Sequence, residues 1–178
     1  MEGDDLMLVV NLFAGPGAGK STMAAGVFAG LKLRGVLAEL ALEFAKELTW
    51  EGRTSALNCQ PFVFGEQLFR LQRLQDAGGE VVVTDSPLLL SAVYGDVPDS
   101  FKDAIRKIDR KTFTSLNFFV TRVKTFEPRG RNQSAAEALA LDYRIRDEMN
   151  RHLVQFKVVP GDDVGVGQVV GEVLEALA

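Results

Sequence analysis

The chain has 178 residues, of which 47% are hydrophobic and 25% are charged, and its formal net charge is −4. From this length we expect a single domain, 1–178, with a sizeable core. We expect no membrane partner, because no apolar run approaches the roughly 18 residues that span a bilayer. The single cysteine, Cys59, excludes an internal disulfide and fits a reducing cytoplasm, and with a single histidine, His152, it cannot form a zinc site of the usual kind.

The first predicted element is a strand over 7–13 that runs into a glycine-rich bend and then a helix. The bend reads Ala14-x4-Gly19-Lys20-Ser21, which is the P-loop spacing with alanine in the first position. Glycines in such a loop let backbone N–H groups approach phosphate oxygens. The lysine reaches the β- and γ-phosphates, and the serine hydroxyl ligates Mg²⁺.

The pattern therefore predicts an ATP site with Mg²⁺. A glycine-rich turn without a ligand is the alternative, but such turns rarely combine three glycines, a lysine and a hydroxyl in this register. We expect Lys20 to be catalytic and to face solvent when no nucleotide is bound. The nucleotide-binding residues of the loop are Ala14, Gly15, Pro16, Gly17, Ala18, Gly19, Lys20, Ser21 and Thr22.

Strands and helices alternate along the rest of the chain. The predicted elements are a helix over 21–33, a strand over 36–42, a helical turn or two over 44–50, a helix over 60–77, a strand over 80–85, a helix opened by Ser86-Pro87, a basic helix over 101–112, a strand over 116–121, a capping-box helix over 134–153, a strand over 156–159 and a helix over 166–177.

This alternation predicts a three-layer α/β fold of the P-loop kinase type, with a mostly parallel five-stranded sheet. Ligands of such sheets bind at the carboxyl ends of the strands. We therefore expect the functional residues in the segments that follow the strands, 14–21, 43–50, 85–91 and 122–131.

Two carboxylates follow strands in this way. Asp85 occupies the position from which P-loop proteins hold Mg²⁺, so we predict that Asp85 and Ser21 form the metal site; the alternative role of Asp85 is to cap the next helix. Glu43 could accept the proton of an acceptor hydroxyl, or it could be a surface acid at a helix start. No acid follows Asp85, which favours transfer to an acceptor over hydrolysis.

A cationic lid is predicted over 122–133. Four basic residues lie there without helical periodicity, and a closing cationic loop would neutralise the charge of phosphoryl transfer and exclude water. The alternative is a solvated loop. The four residues are Arg122 and Arg131, which we assign to catalysis, Arg129, which we assign to ATP binding, and Lys124.

A wider basic segment includes the lid. Between Lys102 and Arg131 there are nine lysines and arginines against three acids, a local charge of +6, which indicates a polyanionic partner or a solvated helix face. Four aromatic side chains are candidates for stacking on a base, although aromatics at such spacing more often belong to a core. They are Trp50, Phe62, Phe64 and Phe69.

The sequence resembles the compact P-loop kinases that many bacteriophages encode, a group related to thymidylate and nicotinamide-riboside kinases. The resemblance rests on six segments: NLFAGPGAGKST (11–22), ELALEFAKELTWEGR (39–53), FGEQLFRLQRL (64–74), TDSPLLLS (84–91), NFFVTRVKTFEPRGRNQ (117–133) and ALDYRIRDEM (140–149).

Within that group the sequence is most similar to the 5-hydroxymethyl-deoxyuridine DNA kinases. The resemblance implies phosphorylation of the hydroxymethyl group of a base within phage DNA, in the host cytoplasm. It places ATP on 14–21, Asp85 and Glu43 on the acceptor side, and the lid arginines on the transferred phosphate. Two alternatives stay open: a kinase of free nucleosides or deoxynucleoside monophosphates, and a nucleotide-binding switch or ATPase.

Overall fold

The computed structural model describes residues 6–123, 125 and 134–178. The strands are β1 (Leu8–Phe13), β2 (Ala38–Ala41), β3 (Val81–Thr84), β4 (Thr114–Thr121) and β5 (Lys157–Pro160). The α-helices are α1 (Lys20–Lys32), α2 (Phe44–Trp50), α3 (Thr54–Leu57), α4 (Gln60–Asp76), α5 (Asp99–Thr112), α6 (Ala135–Arg151) and α7 (Asp163–Ala176), and a 3₁₀ helix spans Leu88–Ala92.

The five strands form one parallel sheet in the order β2-β3-β1-β4-β5. β1, which carries the P-loop, therefore lies at the centre, and β3 and β4 flank it. All six residues of β1 are buried, as expected for the central strand of a sheet covered on both faces. The predicted three-layer α/β fold with a parallel five-stranded sheet is confirmed.

Alternate residues of β1 supply the two faces of the core, because successive side chains of a strand point in opposite directions. Val10 and Leu12 pack with residues of α1 and α7 on one face. Met7 and Val9 pack on the other face with residues of α4 and α5, including Phe64 and Ile105. In the described part of the chain, none of the helices has the length and apolarity needed to cross a bilayer.

The observed helices and strands agree closely with those predicted from the sequence, with two exceptions. The capping box that begins α6 is present, since the Ser134 hydroxyl accepts from the Glu137 N–H and the Glu137 carboxylate accepts from the Ser134 N–H. The segment after Pro87 is a 3₁₀ helix rather than an α-helix. The sequence analysis also did not predict α3. This helix is a single turn without a buried residue, so it has no apolar stripe to indicate it.

Candidate active site

The P-loop joins the end of β1 to the start of α1. Gly17 and Gly19 have positive φ angles of 79° and 98°, in the left-handed region that glycine adopts without steric cost. Gly19 is the N-cap of α1 and makes no side-chain capping bond, so no capping side chain competes for the first N–H groups of the helix. These N–H groups and the helix dipole form an anion site.

Lys20 is buried, which corrects the expectation that it faces solvent. Its ammonium donates hydrogen bonds to the carbonyls of Ala14, at 2.8 Å, and Gly15, at 3.2 Å. Burial lowers the pKa of Lys20, while the nearby carboxylates of Glu43 and Asp85 oppose that shift. The cation is therefore already held beside the phosphate-binding loop by the loop's own carbonyl groups.

Ser21 and Asp85 meet because β1 and β3 are neighbours in the sheet. The Ser21 hydroxyl donates a hydrogen bond to Oδ2 of Asp85, whose side chain is buried. The other carboxylate oxygen, Oδ1, is buried and has no hydrogen-bond partner among the described residues. A buried oxygen without a partner costs free energy, so its position beside the P-loop hydroxyl fits a hard cation.

The alternative role of Asp85 as a helix cap is not seen. The 3₁₀ helix begins after Pro87 and has no side-chain capping bond. Ser21 and Asp85 are thus suited to hold Mg²⁺, directly or through its water shell, as the sequence predicts. Within the described residues there is no cluster of three or more His, Cys, Asp or Glu side chains that could form a different metal site.

Glu43 lies between β2 and α2 and is half-buried at the wall of the same cleft as Lys20. It makes no side-chain capping bond to α2. Burial raises the pKa of Glu43, the Asp85 carboxylate raises it further, and the Lys20 ammonium opposes both. A carboxylate with a raised pKa beside a phosphate site is suited to exchange a proton with an acceptor.

The cleft has a volume of about 710 Å³ and continues past the P-loop into a chamber between α2, α3, the start of α4 and the 3₁₀ helix. Of the four aromatic candidates for base stacking, Trp50 lines this cleft and is largely exposed. Phe64 belongs to the core, which is the role that the spacing of the aromatic residues favours. Beyond the P-loop and α1, the other uncharged side chains with hydrogen-bonding groups that line the cleft are Thr49, Asn58, Gln60, Ser86, Ser91 and Tyr94.

Arg122 is held against the back of the P-loop by Asp142 of α6. Its Nε and one terminal nitrogen donate to Oδ2 of Asp142 at 3.1 and 2.9 Å, while its other terminal nitrogen donates to the Pro16 carbonyl. Oδ1 of Asp142 accepts from the Gly15 N–H. We call this group of Arg122, Asp142 and Gly15 the clamp. Its ion pair is mostly shielded from solvent, with side chains 19% and 12% exposed.

The position of Arg122 differs from the prediction that it belongs to a mobile cationic lid. Arg122 is ion-paired at the P-loop rather than free in a mobile loop, so in this conformation its charge is already neutralised. The remaining lid residues Lys124, Arg129 and Arg131 lie outside the described residues. Asp142 was not predicted as a site residue. It is 127 residues from Gly15, and only the resembling segment 140–149 includes it.

A parallel sheet whose central strand ends in a P-loop, with an acid at the end of the neighbouring strand, defines a P-loop nucleotide-binding domain. The model of a family described as an AAA domain matches residues 9–165, and the chain belongs to this family. No curated protein matches the chain. The family supports nucleotide binding, which in such domains usually involves Mg²⁺.

We expect Asp142→Asn to lower the free energy of unfolding by about 3 kcal/mol, because it leaves the shielded Arg122 guanidinium without its counter-charge. Asp147→Asn on the same helix is the matched control. Its ion pair with Arg151 is mostly exposed, so the loss should be about 1 kcal/mol or less. Denaturant unfolding of both variants measures the difference. Equal small losses would show that the clamp adds no more than a surface ion pair.

Proposed function

We propose that the chain is an ATP-dependent phosphotransferase that moves the γ-phosphate to a hydroxyl, and that the acceptor is the hydroxymethyl group of 5-hydroxymethyluracil in DNA. The observation that carries the proposal is that Lys20 and Glu43 line one cleft, which continues from the P-loop into a chamber with room for a second substrate. The proposed identity of the acceptor comes from the resemblance of the sequence to the phage DNA kinases.

On the donor side, the P-loop N–H groups and Lys20 would bind the phosphates of ATP. Ser21 and Asp85 would hold Mg²⁺, which when bound neutralises charge on the transferred phosphate. Nucleotide binding would draw the Lys20 ammonium from the carbonyls of Ala14 and Gly15 towards phosphate oxygens. The proposed lid residues Arg129 and Arg131 would add to this neutralisation.

On the acceptor side, Glu43 would accept the proton of the hydroxyl as its oxygen bonds to the γ-phosphorus. The bond between that phosphorus and the β–γ bridging oxygen breaks, and ADP leaves with the bond's electron pair. Glu43 later releases the proton to solvent. Its raised pKa makes it a stronger base than an exposed glutamate, and the nearby Lys20 ammonium favours its ionised form.

The charges of the chamber favour an alcohol acceptor over a phosphate acceptor. Beyond the P-loop, Lys46 is the one cation among the described residues that line it, and the acids Glu43 and Asp96 lie on the same walls. A nucleoside monophosphate would bring a second anion into this acidic surrounding. A hydroxyl on an uncharged base would need only hydrogen bonds, which side chains such as Gln60 and Tyr94 can supply.

A kinase of free nucleosides is the second candidate, and the position of α5 favours it. Lys102 and Arg106 of this basic helix are ion-paired with acids, and neither lines the cleft. Lys107 and Lys111 are exposed and make no ion pair with a described residue. If DNA is the acceptor, these two lysines are the best candidates on α5 for contacts with its backbone.

The deciding experiment compares phosphate transfer from ATP to hydroxymethyluracil-containing DNA, to ordinary DNA and to free nucleosides. We expect transfer only to the modified DNA, with acceptor KM rising steeply with salt. The double variant Lys107→Glu, Lys111→Glu should raise the acceptor KM. The slope of log KM against log salt concentration should fall by about 0.7–0.9 for each phosphate contact that is lost. Lys32→Glu with Lys157→Glu makes the same charge change elsewhere and should do neither. Good turnover of a free nucleoside with no salt dependence would refute the DNA acceptor.

We expect Glu43→Gln to lower kcat by about 10²–10⁴-fold while ADP affinity stays near that of the wild type. Because the base must be ionised and its pKa is raised, wild-type kcat should fall on acidification at a higher pH than an exposed glutamate would dictate. The residual activity of the variant should lack this acidic limb. Glu47→Gln, on the exposed side of α2, is the control. If Glu43→Gln changes only thermal stability, the carboxylate is structural.

A further inference from the structure

A second cavity of about 720 Å³ lies on the other side of the 3₁₀ helix from the cleft. Its walls are α5, α6 and the 3₁₀ helix, and side chains of β1 and β4 contribute to its lining. The volume is within the range of about 300–1,000 Å³ that small-molecule sites occupy. Leu90 lines both cavities, so the second cavity is one side chain away from the proposed active site.

Polar contacts at the rim join α5 to α6 around this space. Arg106 of α5 pairs with Glu148 of α6, and Arg110 donates a hydrogen bond to the His152 carbonyl at 2.8 Å. Between these contacts and the sheet, the interior is lined by aromatic and aliphatic side chains that do not fill it. They include Phe13, Phe113, Ile145 and Met149.

Asp109 is the polar group of this interior that most needs a partner. It is 8% exposed, lines the cavity, and accepts no side-chain hydrogen bond from the described residues. Burial raises its pKa to about 6, and the charge of Arg110 only partly opposes the shift. The carboxylate is thus mostly ionised at neutral pH in a poorly solvated position, and N–H donors that reach it would relieve that cost.

At the rim of the cavity, the side chain of Arg110 favours an anionic group on the ligand. Arg110 is exposed and donates to one carbonyl, which leaves further guanidinium N–H groups available. Arg106 and Arg151 at this rim are paired with acids, whereas Arg110 makes no ion pair with a described residue. An anionic group therefore fits beside Arg110, while a simple cation would bind Asp109 but be repelled by Arg110. The ligand should therefore combine a flat apolar body, an edge with adjacent N–H donors, and an anionic group on the outer side.

We propose that this cavity is a second ligand site for a nucleoside monophosphate of the guanine type, with the base against Asp109 and the phosphate at Arg110. Guanine presents two adjacent N–H donors that a carboxylate can accept together, whereas adenine presents an acceptor beside its amino group. The site is separate from the P-loop and binds its ligand without phosphate transfer.

The test is titration calorimetry with GMP, guanosine and AMP on the full chain, with the P-loop saturated by ADP and Mg²⁺. We expect saturable GMP binding, weaker guanosine binding and at least about tenfold weaker AMP binding, as loss of one hydrogen bond to a charged group predicts. Lys20→Ala should leave GMP binding unchanged, which separates this site from the P-loop.

Two variants assign the contacts. Asp109→Asn keeps the shape of the side chain and should weaken both GMP and guanosine about tenfold. Arg110→Ala should weaken GMP but not guanosine, which lacks the phosphate. Asp99→Asn and Lys111→Ala, on the same helix but outside the cavity lining, should change neither. Equal affinity for AMP and GMP, no binding once ADP is bound, or GMP binding that survives Asp109→Asn would each overturn the proposal.

Discussion

The site depends on the parallel pairing of β1 with β3. In that register Asn11 lies opposite Thr84, so the residues after the two strands emerge at the same edge of the sheet. The Ser21 hydroxyl and the Asp85 carboxylate consequently meet, although 64 residues separate them. The sheet thereby buries a carboxylate oxygen without a partner among the described residues, and a bound cation would offset the cost of burying it.

The clamp extends this organisation to the other side of the P-loop. Arg122 follows β4 directly and Asp142 belongs to α6, so the elements that flank the predicted lid segment are tied to Gly15 and Pro16. A change in the position of α6 would therefore reach the phosphate-binding loop through charge-assisted hydrogen bonds rather than through apolar packing.

Much of the fold and the position of the P-loop could be predicted from the sequence, because both rest on local patterns. The fully buried strands β1 and β3 are apolar except for Asn11 and Thr84, and the residues of the P-loop are adjacent in the sequence. The clamp could not be predicted, since it depends on where α6 packs and on a contact between residues 15 and 142. The burial of Lys20 could not be predicted for a related reason. Its partners are backbone carbonyl groups, which every residue has, so no residue type indicates them.

The most direct test of the account is the Mg²⁺ dependence of ADP binding. Calorimetric titration with Mg²⁺ and with a chelator should show that the wild type binds ADP more tightly with the metal. Asp85→Asn should remove that gain while metal-free binding stays close to that of the wild type, because the P-loop N–H groups and Lys20 are unchanged. A wild type without Mg²⁺ dependence, or a variant that keeps the full dependence, would contradict the assignment of Ser21 and Asp85 as the metal site.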